Sequence, residues 1–199
     1  MHDVPSATTV LYPGIGDLFR GRLVRLAAPR PDDASVIAGW EADSSYLTRA
    51  NTGLAVPRTS AESERASVYT GDTLELRVRT VESDKLVGFC ALFGIEWNNR
   101  SAKLAIAIGE PAQRRKGYGR EAMQMFLRYA FHEMNLERIQ IYVISYNEHA
   151  IRLYDSLGFV REGVLRRAVY RSGRRYDLIV MGLLREEWAQ AAGIAQAGA

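Results

Sequence analysis

Cysteine occurs once in the 199 residues, at Cys90, and histidine only at His2, His132 and His149. One cysteine excludes an intramolecular disulfide framework and a multi-cysteine zinc site. Three scattered histidines argue against a His-rich metal centre, so no metal is expected. No run approaches the roughly 18 apolar residues that a membrane helix needs, and no membrane partner is expected. Met1 to Val10 lacks a basic start followed by an apolar core, so it does not read as a secretory signal. Asn99-Arg100-Ser101 fits a glycosylation pattern, but no secretory route gives it meaning, and a cytoplasmic location is the expectation. Charge of one sign is scarce too. Lys and Arg number 26 against 23 Asp and Glu, a net of +3. That is too little to imply nucleic acid unless it is focused on one face.

What is present is ordinary for a globular chain: 47% apolar and 25% charged residues. The length suits one domain with a real core. Residues 1–20 read as a loose leader, 21–188 as the domain, and 189–199 as a disordered tail of Ala, Gly and Gln. Within the domain the elements alternate. Leu23–Leu26 is a short strand, and Asp32 or Asp33 starts a helix toward Glu41. Ser60 starts another before Tyr69. Leu74, Leu76 and Val78 alternate with Glu75, Arg77 and Arg79, which predicts a strand with one wet face. The loop Glu82–Lys85 leads to a paired strand, Leu86–Phe93. Leu104–Ile108 is a strand, and after Gly119 the period turns helical, with Ala122, Met123, Phe126, Leu127 and Ala130 on one face. Arg138–Ile144 is a strand, Asn147 caps a helix that Gly158 stops, and Phe159–Val164 and Tyr176–Leu184 close the sheet around a Ser172-Gly173 turn. The fold class is α/β, a mixed sheet with helices on its faces.

The richest stretch is Ile108-Gly109-Glu110-Pro111-Ala112-Gln113-Arg114-Arg115-Lys116-Gly117-Tyr118-Gly119-Arg120. A strand ends, a basic glycine-containing loop follows, and a helix begins. The helix start offers unpaired N–H groups and the positive dipole end. Gly117 and Gly119 allow close backbone approach, and Arg114, Arg115 and Lys116 add charge. This is an anion cradle sized for phosphate or pyrophosphate, or else a sharp turn with solvated arginines. It is neither a Walker A loop nor a dinucleotide fingerprint.

Arg114-x-x-Gly117-x-Gly119 resembles the acyl-CoA pyrophosphate loop of the GCN5-related N-acetyltransferases (GNAT). A second block, Asn147 to Phe159, is similar to that family's other signature, at the right spacing. Glu162-Gly163, Arg166 and Tyr176-Asp177 through Trp188, with Gly21–Leu26 and Asp33, resemble the RimJ/RimL-like branch. The likeness covers about Gly21 to Trp188, and one departure is Arg115, where many members carry Gly. It implies a mostly antiparallel sheet with two splayed parallel central strands, Leu104–Ile108 and Arg138–Ile144, that receive the pantetheine arm.

The resemblance implies acetyl-CoA as co-substrate and direct transfer to a primary amine, since no Cys or Ser stands in a nucleophile motif. Its cofactor-binding residues here would be Ile106, Ile108, Arg114, Arg115, Lys116, Gly117, Tyr118, Gly119, Arg120 and Asn147. A backbone N–H near Ile106 to Ile108 would polarise the thioester carbonyl, and Tyr154 would protonate the leaving thiolate. Tyr154 can equally be a core tyrosine beside Ile151 and Leu157. The general base is open: Glu96 first, then Glu110 and Glu41, or water alone. Trp40, Tyr46 and Trp97 are candidates for the acceptor pocket, with core packing as their alternative. Cys90 reads as a buried thiol. A basic cluster, Arg161, Arg166, Arg167, Arg171, Arg174 and Arg175, is either a solvated rim or a surface for an acidic partner or RNA. It lacks the interleaved aromatics of a nucleic-acid platform. The favoured acceptor is a protein N-terminus of ribosomal-protein type. Alternatives are a small amine, such as a polyamine or amino-sugar, or an acyl-CoA-binding module without catalysis. A homodimer stays open.

Overall fold

The computed structural model describes residues 17–50, 52–65 and 71–191. The chain enters through β1 (Val24–Ala27) and passes three short helices, α1 (Asp33–Glu41), α2 (Ser44–Ala50) and α3 (Ser60–Arg65). The meander β2 (Thr73–Thr80), β3 (Leu86–Glu96) and β4 (Ser101–Ile108) follows. A 3₁₀ turn, Pro111–Gln113, leads to α4 (Tyr118–Arg128), which runs on through one π turn, Tyr129–Glu133. Then come β5 (Arg138–Ile144), α5 (Glu148–Asp155), β6 (Val160–Arg171), β7 (Arg174–Leu184) and α6 (Arg185–Ala191). One seven-stranded sheet results, in the order β1-β2-β3-β4-β5-β7-β6. All neighbours are antiparallel except β4 and β5.

That parallel pair holds register only from Ser101↔Arg138 to Lys103↔Gln140. Beyond it each strand keeps its outer partner, β4 reaching Ile108↔Gly88 and β5 reaching Ile144↔Leu178. The inner edges, Leu104–Ile108 and Ile141–Ile144, therefore part and leave backbone N–H and C=O groups facing a cleft. The splay expected of these two strands is present.

The main core lies under α4, α5 and α6. Ala122, Met123, Phe126, Leu127 and Ala130, the stripe legible in the sequence, are all at most 1% exposed. They pack on Cys90, Leu92, Leu104, Ile139, Ile141 and Met181. A smaller core on the opposite face joins Ile37, Trp40, Tyr46 and Leu47 to Leu86 and Ala107.

Here the expectation of a wet face on β2 is overturned. Glu75, Arg77 and Arg79 lie under the helical cover, and the guanidiniums of Arg77 and Arg79 are 1% and 5% exposed. Asp33, at the start of α1, pairs with Arg79 and stands 3.4 Å from Arg77, which also pairs with Glu75. Alternation reports the two faces of a strand but not whether the charged face meets water or a countercharge.

The termini differ from their reading as well. Phe19 packs on Tyr129 at 5.3 Å between ring centroids, and its carbonyl accepts the Leu26 N–H at 2.7 Å. Residues 17–20 are thus joined to the domain, while the rest of the leader, 1–16, lies outside the described residues. At the other end α6 continues past Trp188 to Ala191, with Ala189 buried; residues 192–199 lie outside the description. Both terminal hairpin strands run further than expected, β6 to Arg171 and β7 from Arg174.

Candidate active site

The cleft between β4 and β5 is a groove of about 1570 Å³. Its floor is Leu104–Ile108 on one side and Tyr142–Ile144 on the other. The loop into α4, α2 and the β6–β7 hairpin supply the rest of its lining. Tyr146, after β5, donates from its hydroxyl to the Thr48 carbonyl of α2 and ties the two banks together.

The loop geometry explains why each residue type stands where it does. Gly117 has φ +87°, a left-handed conformation that favours glycine, and it caps α4 without a side chain. The first intrahelical bond runs from Glu121 N to Gly117 O at 3.0 Å, so the N–H groups of Tyr118, Gly119 and Arg120 precede it. Gly119 is different. A Cβ there would meet Ile108 and Ile106 only at 3.7 and 4.0 Å, ordinary contact. The fold does not require glycine at 119, yet the position faces the groove, as expected where a ligand's phosphates approach the backbone.

Arg114 turns back: its Nη2 donates to Gly109 O at 2.8 Å and its Nε to Ile108 O at 3.3 Å, pinning the loop to the end of β4. Arg115 sits at φ +63°, which accounts for the frequency of Gly at this place in similar loops, and its guanidinium lies 2.9 Å from His149 Nε2. Lys116 bonds Gln113 at 3.1 Å; neither it nor Tyr118 lines the groove, and Tyr118 packs on the main core.

Glu121 holds this helix start in place, and sequence reading missed it. Its carboxylate accepts the N–H groups of Arg22, Leu23 and Val24 at 2.9, 2.7 and 2.8 Å. The signal was there: an acid in the first helical turn, facing a Gly21 whose Cβ would clash with it at 2.6 Å.

Of the other expected residues, Ile106, Ile108, Arg120, Asn147 and Tyr154 all reach the groove. Asn147 caps α5, its Oδ1 accepting the Ala150 N–H at 3.3 Å, and its amide faces the cleft as well. Tyr154 is 7% exposed, and burial, followed by the neighbouring Cys90, pushes its pKa up to about 12. It lies beside Phe159, 5.8 Å between centroids. So Tyr154 is both core and groove, and the two readings of it are one position.

Glu96 is not brought in. It ends β3 opposite Ser101, at the closed root of the parallel pair, and its Oε2 accepts from Asn99 Nδ2 at 2.7 Å. Glu110 is held by Lys85 at 2.9 Å. Trp97 is half-exposed and bonds Gly71 O at 3.0 Å, while Trp40 is buried against Gly109. Of the three candidate acceptor aromatics only Tyr46 lines the groove. Burial first, then Glu41 and Glu75, hold its phenol above the usual range. Sequence reading also missed Arg49 and Lys103, which line the groove. Cys90 is fully buried, and burial raises its thiol pKa, as an inert thiol requires. No cluster of metal-ligating side chains occurs among the described residues, and no described helix is long and apolar enough to cross a membrane.

A splayed parallel pair, a glycine-marked helix start at its mouth and a buried tyrosine on the next helix define an acyl-CoA-dependent transferase. Residues 23–160 match the acetyltransferase (GNAT) domain, and the chain belongs to that family. It is an acetyl-CoA-dependent N-acetyltransferase. It is 31% identical over 171 residues to the SPbeta prophage-derived uncharacterized N-acetyltransferase YokL of Bacillus subtilis, covering 85% of this chain and 94% of that one. It is 33% identical over 118 residues to the spermidine N(1)-acetyltransferase of Vibrio cholerae, covering 59% and 68%. The crystal structure of the Vibrio cholerae spermidine N-acetyltransferase with CoA and spermine superposes with a TM-score of 0.76 at 25% identity, over 83% of this chain and 98% of that one.

Proposed function

We propose that the chain transfers the acetyl group of acetyl-CoA to the N-terminal amine of a protein. The observation that carries this reading is the charge of the groove. Arg114, Arg115 and Arg120 pin the loop into α4 or receive the pyrophosphate. Of the other cations Arg49 and Lys103 line the groove, and its one carboxylate, Glu148, already pairs with Arg152 at 3.1 Å. Glu41 and Glu75, behind Tyr46, face Arg58 and Arg77. A polyamine brings several positive charges and needs unpaired carboxylates; this lining repels it. A peptide N-terminus brings one amine, which must be neutral to react, and need carry no further positive charge.

The reaction follows from the groove's parts. The amine nitrogen attacks the thioester carbonyl carbon. The C–N bond forms, the C–S bond breaks, and the electron pair leaves on sulfur. A backbone N–H on the free edge of β4, at Ile106 to Ile108, polarises the carbonyl oxygen. Tyr154, protonated at any working pH, gives its proton to the thiolate. The amine's proton passes to water, since Glu96 stands outside the groove. The N–H groups of Tyr118 to Arg120, with Arg115 and Arg120, receive the pyrophosphate, and the Asn147 amide meets the pantetheine arm.

The kinship to spermidine acetyltransferases favours a second reading, a polyamine acceptor. Free-thiol release with acetyl-CoA and a panel of N-terminal peptides, spermidine, spermine and aminoglycosides decides between them. Peptides are expected to give the highest kcat/KM. Turnover confined to polyamines would reverse the assignment.

A further inference from the structure

We propose that the exposed arginines of the β6–β7 hairpin form a docking surface for an acidic polypeptide, the segment of the acceptor protein that follows its N-terminus. The inference rests on the peptide-acceptor reading above and narrows it to one class of substrate.

β6 is an edge strand, paired only with β7. Arg161, Arg166 and Arg167 on β6 and Arg174 and Arg175 on β7 are exposed, and none has an ion pair among the described residues. The two acids of the hairpin offset them only in part. Glu162 is bound by Arg138 on a neighbouring strand. Asp177 accepts the Arg167 backbone N–H at 2.7 Å, across the bulge between Leu165 and Val169. Five exposed arginines against two acids leave the hairpin with a net positive charge.

The hairpin adjoins the active-site groove at Leu165. Leu165 lines the groove and also a second depression, about 650 Å³, walled by Val164 to Arg167 and Asp177. A chain whose terminus lies at the β4–β5 cleft leaves the groove past Leu165 and runs onto the hairpin. There it meets guanidiniums, an open strand edge, and apolar contacts at Leu165 (49% exposed) and Tyr170 (57% exposed). An extended acidic peptide uses all three: charge, edge N–H and C=O groups, and side-chain contacts. RNA uses the charge but wants rows of stacking aromatics, and the hairpin's one well-exposed aromatic, Tyr170, already has Arg175 5.2 Å over its ring.

The test compares two peptides with the same first three residues, one continuing in Asp and Glu, the other in Lys. Acetylation by the full chain is followed by thiol release. Arg166→Glu/Arg174→Glu and the milder Arg166→Gln/Arg174→Gln are compared with the wild type, and acetyl-CoA titration confirms that each variant is folded. The acidic peptide is expected to exceed the basic one about 10-fold in kcat/KM, through KM, with kcat similar. The gap closes in the Glu variant, narrows in the Gln variant, and shrinks in 0.5 M salt, on the order of what screening requires. Equal use of both peptides, or a preference that survives charge reversal, overturns the inference while leaving the peptide-acceptor reading intact. Hairpin-dependent binding of a defined RNA oligonucleotide without a peptide preference, or an oligomer that dissociates on charge reversal, also overturns it. If acetyl-CoA binds but no peptide of either charge is acetylated, the peptide-acceptor reading itself fails, and this one with it.

Discussion

A phenol 7% exposed, with its pKa pushed up to about 12, stays protonated through the whole working range. That suits Tyr154 to giving a proton to a thiolate at the moment charge develops on sulfur. Tyr154→Phe keeps the ring and its contact with Phe159, so the fold is expected to stay. Turnover should fall about 10²-fold, the usual scale for losing a general acid, with acetyl-CoA affinity little changed. Steady-state kinetics with direct acetyl-CoA titration checks this; full activity in a folded variant removes Tyr154 from the mechanism. At this scale the site was partly legible. Gly117, Gly119 and the Asn147 cap could be named from local patterns of turn and helix start, whereas Tyr154 as proton donor came only with the family resemblance. Arg49 and Lys103 could not be named, because they reach the groove through tertiary packing of β4 and a short helix with no local signature, and Tyr46 could be offered only as one aromatic of three. Glu96 was misplaced for the same reason: its neighbourhood in sequence is a strand end, and only the register shows which end.

At the scale of elements, β2 and α1 are joined by buried charge rather than by apolar contact alone. Asp33 faces both Arg77 and Arg79, with Arg30 N donating to it at 2.8 Å. Removing this carboxylate leaves two guanidiniums in the interior with less countercharge. Asp33→Ala is therefore expected to cost about 3–5 kcal/mol, the range for breaking a buried pair. Chemical denaturation of the variant measures it; a loss under about 1 kcal/mol would show that water reaches the cluster. The α4 start depends on a second such device. Glu121→Ala leaves the N–H groups of Arg22, Leu23 and Val24 without their acceptor and frees the phosphate loop from β1. A stability loss of about 1–3 kcal/mol is expected, with weaker acetyl-CoA binding, both measurable by thermal denaturation with and without acetyl-CoA. α1, α3, α4 and α5 and most strands were readable from caps and periodicity, but α2 and α6 were not. The burial of Arg77 and Arg79 was not, since an alternating strand looks the same whether its polar face meets water or a helix carrying Asp33.

For the whole molecule, three buried acids share one direction. Burial raises the pKa of Tyr154, Tyr46 and Cys90 above their ordinary values of 10.0, 10.0 and 9.0. The unfolded chain releases these protons first, so the native state holds more of them, and stability falls as pH rises. The loss is expected to begin near pH 9 and steepen above pH 10; melting curves between pH 7 and 11 should show it, and a flat profile would contradict it. The general architecture followed from the order of elements, but the splay of β4 and β5 came only with the resemblance, because divergence after Lys103 and Gln140 has no period to read. That splay and the loop beside it carry the central claim, that this groove binds acetyl-CoA by its pyrophosphate. Calorimetric titration of acetyl-CoA into the wild type and Gly119→Val tests it most directly. An added Cβ meets Ile108 and Ile106 only at 3.7 and 4.0 Å, so the variant is expected to fold with a near-native melting temperature. The account requires saturable one-to-one binding to the wild type and an affinity lower by about 10-fold or more in the variant, roughly 1.4 kcal/mol. Equal affinity in a folded Gly119→Val protein, or no binding to the wild type at millimolar acetyl-CoA, would contradict it.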